Sequence, residues 1–144
     1  MTRVRTANTP NGRRLEVSTV VAVPAADAWD AIVDTTRWPE WSPIVLGVES
    51  TERRIRTGTT GRVRLPGVWV PFRIASCAER RWTWRVTGVP AAGHRVDDLR
   101  DERCRIAFEL PPSQAGSAPI SLRSLENLEA LLEGDEATGR RETP

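Results

Sequence analysis

The chain has 144 residues, of which 39% are apolar, with 21 basic and 19 acidic side chains. This length indicates a single domain, which buries roughly two thirds of the surface that its unfolded chain exposes. No window approaches the ~18 unbroken apolar residues that a membrane span requires. A net charge of +2 is too small to indicate nucleic-acid binding. We therefore expect no transmembrane segment and no nucleic-acid partner. The first residues also lack an apolar signal-peptide core, so we expect a cytoplasmic protein.

The composition also argues against a metal site. The chain has one His and two Cys. Cys77 and Cys104 show neither metal-ligand spacing nor a redox CxxC motif, so we expect no metal and no cofactor. All basic residues are Arg, spread among acidic residues along several predicted strands. This pattern favours solvated strand faces, although a surface for an acidic partner stays an alternative.

The N-terminal segment, residues 1–13, is polar and contains Asn, Pro and Gly, so it is predicted to be a flexible arm. Residues 15–23 are rich in β-branched side chains and predict a first strand. A helix follows, because Pro24 suits a helix start and apolar residues recur at helical spacing. That apolar stripe consists of Trp29, Ile32 and Val33. A short turn bracketed by two prolines then presents Trp38 and Trp41 from one compact bend.

Six further segments alternate apolar and polar side chains, which predicts strands. They are residues 44–50, 62–65, 70–77, 81–87, 94–97 and 104–110. In the clearest of them Trp82 and Trp84 share one face, while Arg81 and Arg85 share the other. With the first strand, these segments predict an antiparallel meander with one apolar and one wetted face.

The last predicted element is a helix over residues 118–133. Its apolar stripe is Leu122, Leu125, Leu128 and Leu132. Ala118 and Ser121 extend that stripe with small side chains, and Gly134 suits the position just after a helix end. Such a helix is about 24 Å long, enough to cross a sheet of about five strands. Residues 135–144 are predicted to be a disordered tail.

Several motifs together resemble one known family. They are Pro24 with residues 28–34, the bend at residues 38–43, Gly58 and Gly61 before a strand, the strand at residues 82–84, His94, and residues 125–128. The set resembles the START-like SRPBCC superfamily of polyketide cyclase/dehydrase-like proteins. The resemblance covers residues 14–134 as a single domain. It implies an α+β helix-grip fold, in which a curved antiparallel sheet of about seven strands wraps around the long C-terminal helix, with two short helices after strand 1.

The resemblance further implies an apolar cavity between the sheet and the last helix. The ligand-binding residues it implies are Trp38, Trp41, Leu65, Phe72, Ile74, Trp82, Trp84, His94, Val96, Phe108, Ser121 and Leu125. In the implied strand order Cys77 and Cys104 lie about three strands apart, near ~14 Å, whereas a disulfide tolerates ~7 Å between Cα atoms. We therefore expect two free thiols.

His94 is the candidate catalytic residue, because its side chain exchanges protons near neutral pH. Its register with Val96 places it on the apolar face. One interpretation is an acid or base acting on a ligand, and the other is a histidine hydrogen-bonded in the core. The second is favoured, because the carboxylate nearest on that face, Asp98, lies at a strand end. Trp38 and Trp41 are open to two interpretations as well, since they either line a cavity mouth or seal the bend against the sheet.

Three functions stay open at this point. The first is a carrier or sensor that binds a small hydrophobic molecule, whether aromatic, polyketide-like or lipidic. The second is a cyclase or dehydratase in which His94 acts as acid or base. The third is a protein–protein interaction module that uses the outer arginine-bearing face. The sequence is also compatible with a homodimer.

Overall fold

The computed structural model describes the backbone of residues 2–142 and the side chains of residues 2–134. The strands are β1 (Thr2–Thr9), β2 (Gly12–Val21), β3 (Gly47–Ser50), β4 (Thr60–Leu65), β5 (Val68–Ala78), β6 (Arg81–Val86), β7 (Val89–Arg100) and β8 (Arg103–Leu110). The helices are α1 (Ala25–Val33), α2 (Trp38–Trp41) and α3 (Ala118–Glu142), with 3-10 helices at Thr35–Arg37 and Pro112–Ser117.

The strands form one antiparallel sheet in the order β1-β2-β8-β7-β6-β5-β4-β3. The α+β helix-grip prediction is confirmed, with eight strands in place of about seven. The long helix α3 packs on the inner face of the sheet, where Leu125 and Leu128 are completely buried. Cys77 on β5 and Cys104 on β8 are separated by two intervening strands and are free, which confirms the prediction of free thiols.

The additional strand is the predicted N-terminal arm, and the prediction of a loose arm is wrong for residues 2–13. β1 pairs with β2 along its whole length, from Thr2 opposite Thr19 to Thr9 opposite Gly12. The turn is closed by the Thr9 hydroxyl, which donates to the Gly12 carbonyl at 2.8 Å. Gly12 has a φ of 103°, which glycine adopts at little cost. The strand lacks an apolar face because it is the edge of the sheet, so sequence alternation does not reveal it.

Tight turns connect the central strands. Between β5 and β6, Glu79 and Arg80 have φ angles of 53° and 59°; between β6 and β7, Thr87 and Gly88 have φ angles of 50° and 79°. Two successive residues with positive φ match the right-handed twist of antiparallel strands and keep the hairpins tight. The β6–β7 turn pairs Val86 with Val89, and a register shift between Thr83 and Arg85 then places Trp82 opposite His94.

Helix α3 does not end at Gly134 as predicted, and its backbone continues to Glu142. The segment from Asp135 to Glu142 contains two Glu, two Arg and one Ala, which favour helix, together with Gly139 and no proline. The predicted disordered tail over residues 135–144 has no described side chains, and its last two residues lie outside the described part altogether. Within the described residues, no helix has the length and apolar character to cross a membrane.

A partly buried charge network occupies the outer face of the sheet. Glu16 and Glu109 are only 1–2% exposed, and Arg95 donates to both, at 3.1 and 2.7 Å. Arg95 also donates to Asp97 at 2.9 Å. Burial raises the pKa of Glu16, but hydrogen bonds and charges from Arg5 and Arg95 outweigh it, so the net pKa lies below its usual value. Arginines on this face therefore hold buried carboxylates in the fold.

Candidate functional site

A cavity of about 270 Å³ lies between the inner face of the sheet, α2 and the start of α3. It is lined by Trp38, Trp41, Ser42, Ile44, Val45, Val63, Leu65, Val70, Trp82, Trp84, Val86, Ala91, Ala92, His94, Phe108, Leu110, Gln114, Ser117, Ile120, Ser121 and Ser124. No member of this lining carries a formal charge, if the single histidine is neutral. The lining is therefore apolar, with a few hydroxyl and amide groups.

The inner end of the cavity is walled by an aromatic stack. The Trp38 indole lies parallel to the Trp82 indole, with centroids 5.4 Å apart, and Trp82 lies parallel to the His94 imidazole at 3.8 Å. Trp84 meets Trp82 edge-on at 5.6 Å, and Phe108 meets His94 edge-on at 4.7 Å. Offset-stacked and edge-to-face rings are the favoured aromatic geometries, so the rings of this wall hold one another in place.

Trp38 and Trp41 lie deep in the cavity rather than at its mouth, since they are only 2% and 5% exposed. Their indole N–H groups donate to the carbonyls of Ile32 and Ala31, at 3.0 and 3.2 Å. Those carbonyls belong to the last turn of α1, where backbone acceptors lack partners within the helix. The two indoles thus fix the end of α1 and also border the cavity, but away from its mouth, where the first interpretation had placed them.

The environment of His94 disfavours a charged imidazole. The side chain is 4% exposed, and burial lowers its pKa to about 3, with a backbone hydrogen bond to Trp82 opposing that shift. Its Nδ1 atom is buried without a hydrogen-bond partner in the described part of the chain. Asp98, the carboxylate suggested by sequence, instead accepts a hydrogen bond from the backbone N–H of Arg100 at 3.0 Å. His94 is therefore a neutral residue of the cavity wall.

Two further polar groups of the wall lack partners within the described residues. The indole nitrogens of Trp82 and Trp84 are buried and unbonded. Buried N–H groups are bonded in most proteins, because leaving one unpaired costs about 1–3 kcal/mol. Together with His94 Nδ1, they are polar atoms of wall residues that no described group of the protein satisfies, and each is almost inaccessible to solvent.

Eight of the twelve predicted ligand-binding residues line the cavity: Trp38, Trp41, Leu65, Trp82, Trp84, His94, Phe108 and Ser121. The other four, Phe72, Ile74, Val96 and Leu125, are at most 4% exposed and belong to the core outside this lining. Phe72 shows why, because Trp38 and Trp84 pack against it at 5.5 and 5.7 Å. Correct strand register places a residue on the inner face, but the helices decide which inner residues border the empty space.

Sequence reasoning missed several lining residues that register could have found. Val63, Val86 and Ala92 lie two residues from the predicted Leu65, Trp84 and His94, on the same strand faces. Ser124 lies one helical turn from the predicted Ser121. In contrast, Ile44 and Val45 belong to the predicted strand at residues 44–50, but the structure starts β3 only at Gly47 and leaves them in an irregular segment, where strand alternation does not assign their faces.

Comparison with known proteins agrees with the fold. Residues 13–133 match the model of the family described as "Polyketide cyclase / dehydrase and lipid transport". The chain therefore belongs to this family, within the polyketide cyclase-like SRPBCC superfamily. No curated protein matches the chain by sequence.

Solved structures share the helix-grip fold at low sequence identity. The ZhuI aromatase/cyclase from Streptomyces sp. R1128 has a TM-score of 0.66 and 16% identity, over 91% of this chain and 94% of its own. A protein from Thermobifida fusca has a TM-score of 0.65 and 19% identity, over 81% and 91%. Norcoclaurine synthase from Thalictrum flavum, solved with a transition-state analogue, has a TM-score of 0.56 and 11% identity, over 94% and 98%. At these identities the likeness is one of fold.

Proposed function

We propose that this protein binds a small, flat, apolar molecule in the cavity and acts as its carrier or sensor. The observation that supports this most directly is a cavity of about 270 Å³ with an aromatic wall and no charged lining residue. Desolvating an ionised group there would cost free energy that no partner offsets, so a neutral ligand is favoured. The ring of Trp84, which lines the cavity and is only partly buried, suits contact with a planar ring system, whereas Trp82 is covered by Trp38 and His94.

The dimensions of the cavity restrict the ligand further. Its volume lies just below the range of roughly 300–1,000 Å³ that is usual for drug-sized ligands. A compound of one or two rings, or a short acyl chain, fits this space better than a multi-ring polyketide or a phospholipid. The hydroxyl groups of Ser42 and Ser121 in the lining suit a ligand with one polar oxygen, such as a phenol or a ketone.

Isothermal titration calorimetry with two ring-matched probes tests the proposal. 2-Naphthol is neutral at pH 7 and 2-naphthoate is charged, but the two share one ring system. We expect 2-naphthol to bind at least tenfold more tightly, because the cavity offers no cation to the carboxylate. Native mass spectrometry of freshly purified protein would reveal a retained natural ligand. Failure of both probes to bind, together with no retained molecule, would count against a ligand-binding role.

A second candidate is an enzyme of the cyclase or dehydratase class, which the family description favours and in which His94 borders the cavity. With a pKa of about 3, His94 would act as a neutral hydrogen-bonding group rather than as a proton donor at pH 7. Replacing His94 with Gln should leave affinity for 2-naphthol nearly intact under either role. Loss of turnover of a presented substrate in that variant would favour the enzyme.

The third function, a protein–protein module on the outer arginine face, receives less support. Arg3, Arg5, Arg81 and Arg95 of that face are engaged with Glu16 and Glu109 in the same sheet. Their charge is therefore largely used to hold the fold.

A further inference from the structure

Exposed large apolar side chains are concentrated around the opening of the cavity. Among the described residues, those at least 36% exposed are Val4, Leu46, Val68, Trp69, Val89 and Ile120. All of them except Val4 lie beside cavity-lining residues. We call Leu46, Val68, Trp69, Val89 and Ile120 the mouth ring.

Strand register or chain position connects Leu46, Val68, Val89 and Ile120 to the cavity, whereas Trp69 lies at the same end of the sheet on its outer face. Val68 pairs with Leu65 at the β4–β5 turn. Val89 pairs with Val86 at the β6–β7 turn. Both partners line the cavity, and both are partly exposed, which marks the opening. Leu46 directly follows the lining residue Val45, and Ile120 itself lines the cavity at the start of α3.

Arginines adjoin the mouth ring without matching carboxylates. Arg64 pairs across β4 and β5 with Trp69, and Arg85 pairs across β6 and β7 with Pro90. Both are exposed, and neither forms an ion pair with any described residue. Arg62 packs over the Trp69 ring at 4.5 Å and pairs with the exposed Glu49. Apolar side chains and cations are thus presented at the same end of the sheet.

We propose that the mouth ring docks on the surface of an anionic lipid bilayer. Such a surface offers an apolar interior to the exposed side chains and negative headgroups to Arg64 and Arg85. A second copy of the chain is disfavoured as the occupant, because it would bring the same unpaired arginines against each other. An acidic protein surface would pair with the arginines, but it would offer fewer apolar contacts to Val68 and Val89.

Docking in this orientation places the opening of the cavity against the membrane. An apolar ligand could then pass between bilayer and cavity without crossing water, where its apolar surface is costly to expose. This step of the argument rests on the proposed ligand-binding function. The docking itself does not, because it depends only on the exposed residues of the mouth ring and the arginines beside them.

Vesicle co-sedimentation of the unliganded full chain tests the docking. The vesicles contain either phosphatidylcholine alone or phosphatidylcholine with 30% phosphatidylglycerol. We expect binding to the second kind only. The double variant Val68→Asp/Val89→Asp should lose at least tenfold in affinity, because each carboxylate replaces an apolar contact and is repelled by the headgroups. Val4→Asp is the matched control, since Val4 is equally exposed, at 52%, but lies on the edge strand β1; it should bind like the natural chain.

Arginine substitutions add an electrostatic measurement. Arg64→Gln and Arg85→Gln should each weaken binding about fivefold at low salt, with smaller effects as ionic strength rises. Equal binding to both kinds of vesicle, or no binding to either, would overturn the proposal. A dimer in solution that Val68→Asp/Val89→Asp dissociates would assign the mouth ring to a second copy instead, and would overturn it as well.

The test distinguishes failure of docking from failure of ligand binding. 2-Naphthol affinity is measured in solution, without vesicles, for the natural chain and for Val68→Asp/Val89→Asp. Unchanged affinity in the variant shows that its cavity is intact, so that a loss of vesicle binding reports on the mouth ring. If the natural chain binds vesicles but does not bind 2-naphthol, the membrane docking is supported and the proposed ligand exchange is contradicted.

Discussion

The imidazole of His94 lies parallel to the indole of Trp82, with centroids 3.8 Å apart and planes inclined by 11°. The two residues face each other across β6 and β7, where the turn between these strands and the register shift between Thr83 and Arg85 together set the contact. Phe108 meets the imidazole edge-on from the other side. The chain's only histidine is thus enclosed by rings, and burial outweighs any attraction between a protonated imidazole and the indole face.

The first prediction concerns the protonation of His94, which is the single histidine of the sequence. Its ring protons therefore give one assignable set of NMR signals. We expect no titration between pH 8 and pH 5, because burial lowers the pKa to about 3. A midpoint near 6.5 would mean that the imidazole is solvated, and it would restore His94 as a candidate acid or base.

The second prediction follows from the same pKa shift. The pKa of His94 is 6.5 when unfolded and about 3 when folded, so its contribution to stability is complete above pH 6.5 and is lost as pH falls toward 3. Between pH 6.5 and 5.5, above the unfolded pKa values of Glu16 (4.5) and Asp34 (3.8), the free energy of unfolding should fall by about 1 kcal/mol.

Urea unfolding at several pH values measures this slope. In His94→Gln, which cannot be protonated, the slope over this pH range should nearly vanish, even though the variant is less stable overall. Asp34 supplies a separate check at lower pH. The hydrogen bond from Arg53 lowers the pKa of Asp34 to about 2 against the opposing effect of burial, so its contribution is lost only below about pH 3.8. If the unfolding free energy of His94→Gln falls with pH as steeply as that of the natural chain above pH 5.5, groups other than His94 cause the pH dependence.

The parts of the fold that were predicted from sequence are those in which one face is buried and the other is wet. The strand with Trp82 and Trp84 and the leucine stripe of α3 have this property, and both were predicted with the right faces. The strand β1 lacks it, because an edge strand with polar residues on both faces resembles a loop in its composition. The prediction that the last helix ends before Gly134 was wrong for a related reason. A glycine can lie within a helix when its neighbours favour helix.

The site was predicted less completely, because a cavity is the space that the packed helices and strands leave unfilled, and that depends on how they are placed relative to one another. Periodicity places Phe72 and Trp82 on one inner face, but only the position of α2 decides that Trp82 borders the space and Phe72 does not. The hydrogen bond from the Trp38 indole to the Ile32 carbonyl likewise joins two elements whose relative placement no local pattern encodes.

A third prediction uses this hydrogen bond. Trp38→Phe removes the donor to the Ile32 carbonyl and part of the stacked ring area, so it should lower the free energy of unfolding by about 2–3 kcal/mol. Trp69→Phe is the control, because Trp69 is 36% exposed and should change stability by less than about 1 kcal/mol. Equal effects of the two substitutions in urea unfolding would show that the indole does not fix the end of α1.

A fourth prediction concerns the charge network of the outer face. Arg95→Leu leaves the buried carboxylates of Glu16 and Glu109 with fewer partners, so we expect a loss of about 2–4 kcal/mol of stability. Arg73→Leu removes an exposed arginine on the same face for which the structure gives no ion pair, and it should be nearly neutral. Chemical unfolding at pH 7 compares the two, and a neutral Arg95→Leu would mean that the remaining arginines satisfy both carboxylates.

A fifth prediction tests whether the cavity itself binds the ligand. Ser121→Phe places a ring into the space from α3, where Ser121 is buried and lines the cavity. We expect 2-naphthol affinity to fall at least twentyfold, while the folded state is retained because the added ring fills empty apolar volume. The control is Ser113→Phe, which makes the same change at an exposed position of the preceding 3-10 helix, outside the cavity. Circular dichroism confirms that both variants fold, and calorimetry measures binding. If Ser121→Phe folds and still binds 2-naphthol with natural affinity, the ligand occupies another part of the molecule, and the aromatic wall of Trp82 and Trp84 serves only to stabilise the fold.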